Sequence, residues 1–122
     1  MQSINASSIK RGEIWRVNFD PTVGAEIQKT RPAVVISGDG IGKLPIKIIV
    51  PLTGWREEFK GSFVHVKIKA DRKNNLSKDS AADALQVKGV AVERFVGPRM
   101  GWIDNDLLEE IVLAVGAAIE LG

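Results

Sequence analysis

R-G-E-I-W-R-V-N-F-D-P-T-V-G-A-E-I-Q-K-T-R-P, residues 11–32, is the stretch whose reading decides the fold. In Ile14–Phe19, Trp15, Val17 and Phe19 fall on one side and Arg16 and Asn18 on the other, the alternation of a half-buried strand. Asp20-Pro21 ends it, because proline fixes φ and disfavours helix in the residue before it. A polar loop follows, pivoting on Gly24 and carrying Glu26, Gln28, Lys29, Thr30 and Arg31. Pro32 opens the next apolar run, Ala33-Val34-Val35-Ile36. Two strands therefore hold between them a carboxylate, an amide, an ammonium and a guanidinium, far more chemistry than a connection needs. Loops of this kind on stiff scaffolds are where binding and catalysis concentrate.

The pattern continues outward. Gly38–Gly42 reads as a turn. Ile46–Val50 is an almost unbroken apolar run, as expected of a strand buried on both faces, and ends at Pro51-Leu52-Thr53-Gly54. Phe63–Lys69 alternates, with Val64, Val66 and Ile68 opposite His65, Lys67 and Lys69. Strands are expected near 81–88 and 89–92, with a helical turn near Val92–Val96. Asp106 with Glu109 makes a capping-box pattern, and Leu107, Leu108, Ile111, Val115 and Ile119 repeat at helical spacing. Many short strands and one C-terminal helix predict a mainly β small barrel. Phe19, Phe95 and Trp102 are expected in its core, and His65 at its surface. Residues 1–9 are polar and featureless and are expected to form a mobile arm, leaving residues 10–122 as one domain.

Composition excludes several functions. With 122 residues the chain suits one domain. It has no cysteine and a single histidine, so it offers no thiol nucleophile, no Cys-ligated zinc and no histidine pair. No metal site and no cofactor is expected. No apolar run is long enough to cross a membrane and no secretory pattern opens the chain, so the expected location is the cytoplasm. Net charge is only +2, yet residues 104–122 hold five acids and no Lys or Arg, leaving a balance of +7 before them. Clustered on one surface, that excess would attract a polyanion; dispersed, it is an ordinary solvated exterior.

R-G-E-I-W-x-V-x-F-D-P-T-x-G-x-E-x-x-x-x-R-P resembles the opening of the MazF/PemK (Kid) family of toxin endoribonucleases. The likeness continues through I-I-V-P-L-T at residues 48–53 and Q-V-K at 86–88, and spans residues 10–122. It implies an SH3-like barrel, shared with the CcdB toxins, and a homodimer. It further implies metal-independent, sequence-specific cleavage of single-stranded RNA, leaving a 2′,3′-cyclic phosphate and a 5′-hydroxyl. The implied partner is an antitoxin whose acidic, extended segment fills the same cleft, with DNA binding by the complex.

Three residues are the catalytic candidates. Arg31 falls on the family's catalytic arginine; its planar fork matches two phosphate oxygens and would favour the more negative phosphorane. Its alternative is an anchor pairing with Glu26. Thr53 matches the family's required threonine and could donate to a phosphate oxygen. Glu26, the loop's one carboxylate, could take the 2′-hydroxyl proton. A guanidinium holds its proton too tightly to be a good acid, so the donor to the leaving 5′-oxygen stays unassigned. Lys29, Arg56 and Lys88 are candidate phosphate contacts; Gln28, Thr30 and Gln86 are candidate base readers. Trp55 could stack on a base or be buried. Two Kid-like features are absent: Ala25 stands where those members carry His, and Asp83-Ala84-Leu85-Gln86 lacks their Arg and Asp just before the Gln. Two rival readings remain open, a non-catalytic RNA- or peptide-binding module and a gyrase poison of the CcdB kind.

Overall fold

Strand β1 (Glu13–Asn18) is the centre of the opening motif, and β2 (Thr30–Val35) and β7 (Phe95–Trp102) pair with it on either side, both antiparallel. A computed structural model describes residues 5–121. Between β2 and β7 come β3 (Ile46–Gly54), β4 (His65–Ile68), β5 (Ser80–Asp83) and β6 (Lys88–Ala91), and helix α1 (Asn105–Ala118) closes the chain. The long strand β3 organises the rest. One edge takes β2; the other takes β6 along its first half and β5 along its second.

The connectivity forces curvature. In the path β6-β3-β2-β1-β7 the outer strands are joined only by the 3₁₀ turn Val92–Arg94. That link spans at most about 14 Å of chain, whereas five flat strands would hold their outer members about 19 Å apart. The sheet must therefore curl around one face, giving the barrel-like form. That face encloses Trp15, Val17, Phe19, Ala33, Val35, Ile49, Val90 and Phe95. The other carries Ile14, Val34, Val50, Leu52 and Ile68 against Leu108 and Ile111 of α1. Burying such side chains contributes about 1.5–3 kcal/mol each.

The opening motif supplies its own fastening. Glu13 is buried, and its carboxylate accepts from the Lys10 N–H at 2.7 Å, Trp15 Nε1 at 3.1 Å and Arg99 Nη1 at 3.0 Å. Three donors offset the cost of taking the charge out of water.

Several expectations are corrected. Within the predicted arm, Asn5 caps a turn at Ala6–Ser8, Ala6 packs against the core and Ile9 is buried in the cluster that holds Trp15, so this part is anchored; residues 1–4 lie outside those described. The run at 46–50 is not buried on both faces. Ile46 and Ile48 are 47% and 44% exposed, while Lys47 is only 2% exposed and its Nζ donates to the Gly42 carbonyl at 3.2 Å. The strand expected over 81–88 is broken by a 3₁₀ turn at Ala84–Gln86. β7 lies beyond the expected helical turn at Val92–Val96, where the sequence reading has no strand; a register shift between Ile14 and Arg16 takes up residues 97–100. The helix cap is Asp104, accepting from the Leu107 N–H at 2.9 Å, and not Asp106. Trp102 is 44% exposed beneath the Arg99 guanidinium, and His65 is half-buried, stacked on Phe59.

Candidate active site

The β1–β2 loop is fastened at its base. Phe19 N–H donates to the Lys29 carbonyl, Asp20 accepts from the Lys29 N–H at 2.9 Å, and Arg94 Nη1 donates to the Asn18 and Asp20 carbonyls. Lys29 itself has a positive φ of 67°. Beyond this base the loop folds over the break between β5 and β6, and the two enclose a cleft of about 510 Å³. Phe19, Pro51 and Val87 give it apolar walls; Thr22, Glu26, Gln86 and Lys88 supply its polar groups. Glu26 is exposed, with Oε1 accepting from the Val23 N–H at 2.7 Å.

Arg31 and Thr53 do not line this cleft; they lie on the sheet face of Pro51, which does. The β2–β3 ladder ends where Ala33 meets Pro51, and Arg31 and Thr53 each lie two residues beyond that last pair, on its side of the sheet. Thr53 pairs with Ala81, which pairs with Lys67. A row of Lys67, Ala81 and Thr53 thus crosses three strands on the face that also bears Pro51 and, two residues from Ala33 on β2, Arg31, because side chains two apart along a strand share a face. Ala81 leaves space between cation and hydroxyl. Among the described residues the Arg31 guanidinium makes no ion pair, and Glu26 is turned to Val23, so the expected alternative of an Arg31–Glu26 anchor is not what the loop uses.

The remaining candidates divide. Gln28, Lys29 and Thr30 are exposed between loop and β2, and Arg56 is exposed just past β3, 5.9 Å from the Phe59 ring. Trp55 is half-buried: Lys67 lies 5.0 Å over its ring, Phe59 meets it edge-on at 5.8 Å, and its Nε1–H is enclosed without an acceptor. It is a wall of this region more than a free stacking platform. The amide of Gln86 is engaged within the chain, its oxygen accepting from the Ile27 N–H at 2.6 Å. Lys67 was not among the sequence candidates. Its alternation with Val66 and Ile68 put it on a polar face, but only the strand pairing shows that this face is the one bearing Arg31.

The family model for PemK-like, MazF-like toxins of type II toxin–antitoxin systems matches residues 10–119. Endoribonuclease MazF9 of Mycobacterium tuberculosis is 30% identical over 96 residues, covering 74% of this chain and 79% of its own length. Among solved structures, MazF from Deinococcus radiodurans gives a TM-score of 0.75 at 20% identity, over 91% of this chain and 96% of that one. A mycobacterial endoribonuclease in complex with its cognate antitoxin gives 0.70 at 16% identity, over 93% and 96%. At such identities the structural likeness concerns the fold, while the family match runs through the loop, the P-L-T segment and the Q-V-K segment together. The chain belongs to the MazF/PemK family of type II toxins.

Proposed function

We propose that this chain is the toxin of a toxin–antitoxin pair and an endoribonuclease that cleaves single-stranded RNA by attack of the substrate's own 2′-hydroxyl. The observation carrying this reading is the Arg31 guanidinium, free of any ion pair among the described residues and on the sheet face shared by Thr53 and by Pro51, which lines the cleft with Glu26. In the proposed reaction Glu26 takes the 2′-hydroxyl proton as the oxygen attacks phosphorus. Arg31 places two N–H donors where the phosphorane gains negative charge, and Thr53 donates to a phosphate oxygen. As the bond from phosphorus to the 5′-oxygen breaks, that oxygen takes a proton from solvent and leaves as a hydroxyl, and the other product ends in a 2′,3′-cyclic phosphate. Lys88 and Lys67 serve this centre as phosphate contacts, with Lys29 and Arg56 on the flanking loops. A homodimer, a cytoplasmic site of action and an antitoxin offering an acidic extended segment to the basic cleft complete the proposal.

Nothing in this scheme calls on a metal. The purified protein is expected to cut a long mixed-sequence RNA into discrete fragments bearing 5′-hydroxyl ends, and to do so in excess EDTA. Activity lost to EDTA and restored by magnesium or manganese would overturn the 2′-hydroxyl mechanism. RNA bound but left intact would favour the non-catalytic module.

A further inference from the structure

We propose that Gln86 is a positioning residue, whose amide clamps the β1–β2 loop and thereby sets Glu26, and that it does not read an RNA base. The inference rests on the endonuclease reading above and concerns how its loop is held. The base of the loop is fastened at Asn18, Asp20 and Lys29, but its far part is not. Among the described residues, the only hydrogen bonds reaching residues 21–28 from outside the loop come from Gln86. Oε1 accepts from the Ile27 N–H at 2.6 Å, and Nε2 lies 3.5 Å from the Ala25 carbonyl. Ala25 and Ile27 flank Glu26, so one amide grips the backbone on both sides of the carboxylate.

The amide is itself oriented. Asp83 Oδ2 accepts from Gln86 Nε2 at 3.0 Å, while Oδ1 accepts from the Leu85 N–H at 3.2 Å at the start of the Ala84–Gln86 turn. A carboxylate can only accept here, so Nε2 must face Asp83 and Oε1 must face the loop. Asp83 is buried, and His65 Nε2 stands 3.8 Å from the same Oδ2, its other ring nitrogen 2.8 Å from Ser62 Oγ. The break between β5 and β6 thus has a purpose that a continuous strand would not serve. It turns Gln86 out of the ladder and toward a loop some sixty residues earlier.

The test is donor–acceptor reversal. Gln86→Leu removes the grip at similar size; hydrogen exchange of the Ile27 amide is expected to quicken about five- to tenfold, the scale of one lost hydrogen bond. Single-turnover cleavage is expected to fall about tenfold or more through misplacement of Glu26, with KM within about twofold. Gln86→Glu keeps an acceptor for Ile27 but sets two carboxylates together and is expected to be as poor. Adding Asp83→Asn to it restores the pair in reverse, and both exchange and turnover are expected to recover. An unchanged Ile27 amide in Gln86→Leu, a rise in KM without loss of turnover, or a double variant no better than Gln86→Glu would each overturn the clamp. The exchange measurement needs no RNA. It therefore tests the clamp even should the wild-type protein cleave nothing, a result that would count against the endonuclease reading alone.

Discussion

Arg31 and Arg99 lie on strands of one sheet and are used in opposite ways. Arg99 is committed to Glu13 at 3.0 Å, where it helps to neutralise a buried carboxylate. Arg31 has no such commitment among the described residues, and a guanidinium kept free beside a cleft is available to a substrate phosphate. Arg31→Ala is expected to lower cleavage on the order of a hundredfold or more, the scale for one preorganised stabiliser of developing charge. Binding of a 2′-methoxy analogue, which cannot be cut, is expected to weaken far less, since one phosphate contact among several is lost. Arg31→Lys is expected to restore little, because a point charge does not reproduce the two-pronged donor. A thermal melt close to wild type excludes unfolding as the cause. Normal cleavage by the alanine variant would deny Arg31 any part in the chemistry. Cleavage and analogue binding falling together would make it a ground-state phosphate clamp.

Elements were legible where the local pattern agreed with the tertiary fold, and obscure where pairing overrode it. β1 and β4 alternate cleanly and could be placed within a residue or two. Lys47 broke the reading of β3, because an aliphatic stem can lie in the core while its ammonium reaches a carbonyl, and neighbouring isoleucines are then left outside. The candidate site followed the same division. Glu26 and Arg31 stand out in a charged loop, and Thr53 in a strand end, whereas the part of Gln86 depends on a contact with Ile27 that no local window contains. β7 has no clean alternation to announce it, and Gly101 is what allows it. Gly101 is buried against the Lys73 carbonyl and the Asn74 backbone, so a Cβ there would overlap main-chain atoms that cannot swing aside. Gly101→Ala is expected to cost about 2–3 kcal/mol or more, the upper range of overpacking, read from the denaturant midpoint. A loss under about 0.5 kcal/mol, the range of ordinary surface changes, would mean that the 71–74 turn yields readily.

At the scale of the molecule, the acids of α1 and three of the candidate bases fall on different faces of the sheet. α1 carries exposed Asp106, Glu109 and Glu110 and packs on the sheet face of Val34 and Leu52. Arg31, Lys67 and Lys88 belong by register to the opposite face, with Ile49 and Pro51. The bases of the cleft side are expected to draw a polyanion toward it and so to orient an RNA strand before any base is read. Contact with three or four phosphates predicts that log affinity for a non-cleavable single strand falls against log salt with a slope of roughly −2 to −3. Removing Arg31 or Lys67 is expected to make the slope shallower by about 0.7 each, one phosphate apiece. Neutralising Glu109 and Glu110 together is expected to leave it nearly unchanged, because those charges sit on the helix that covers the other face of the sheet. A flat dependence would show that the basic balance is dispersed and plays no part in binding. Equal sensitivity to the helix variants would place the RNA on the wrong side of the sheet, away from Arg31 and Thr53.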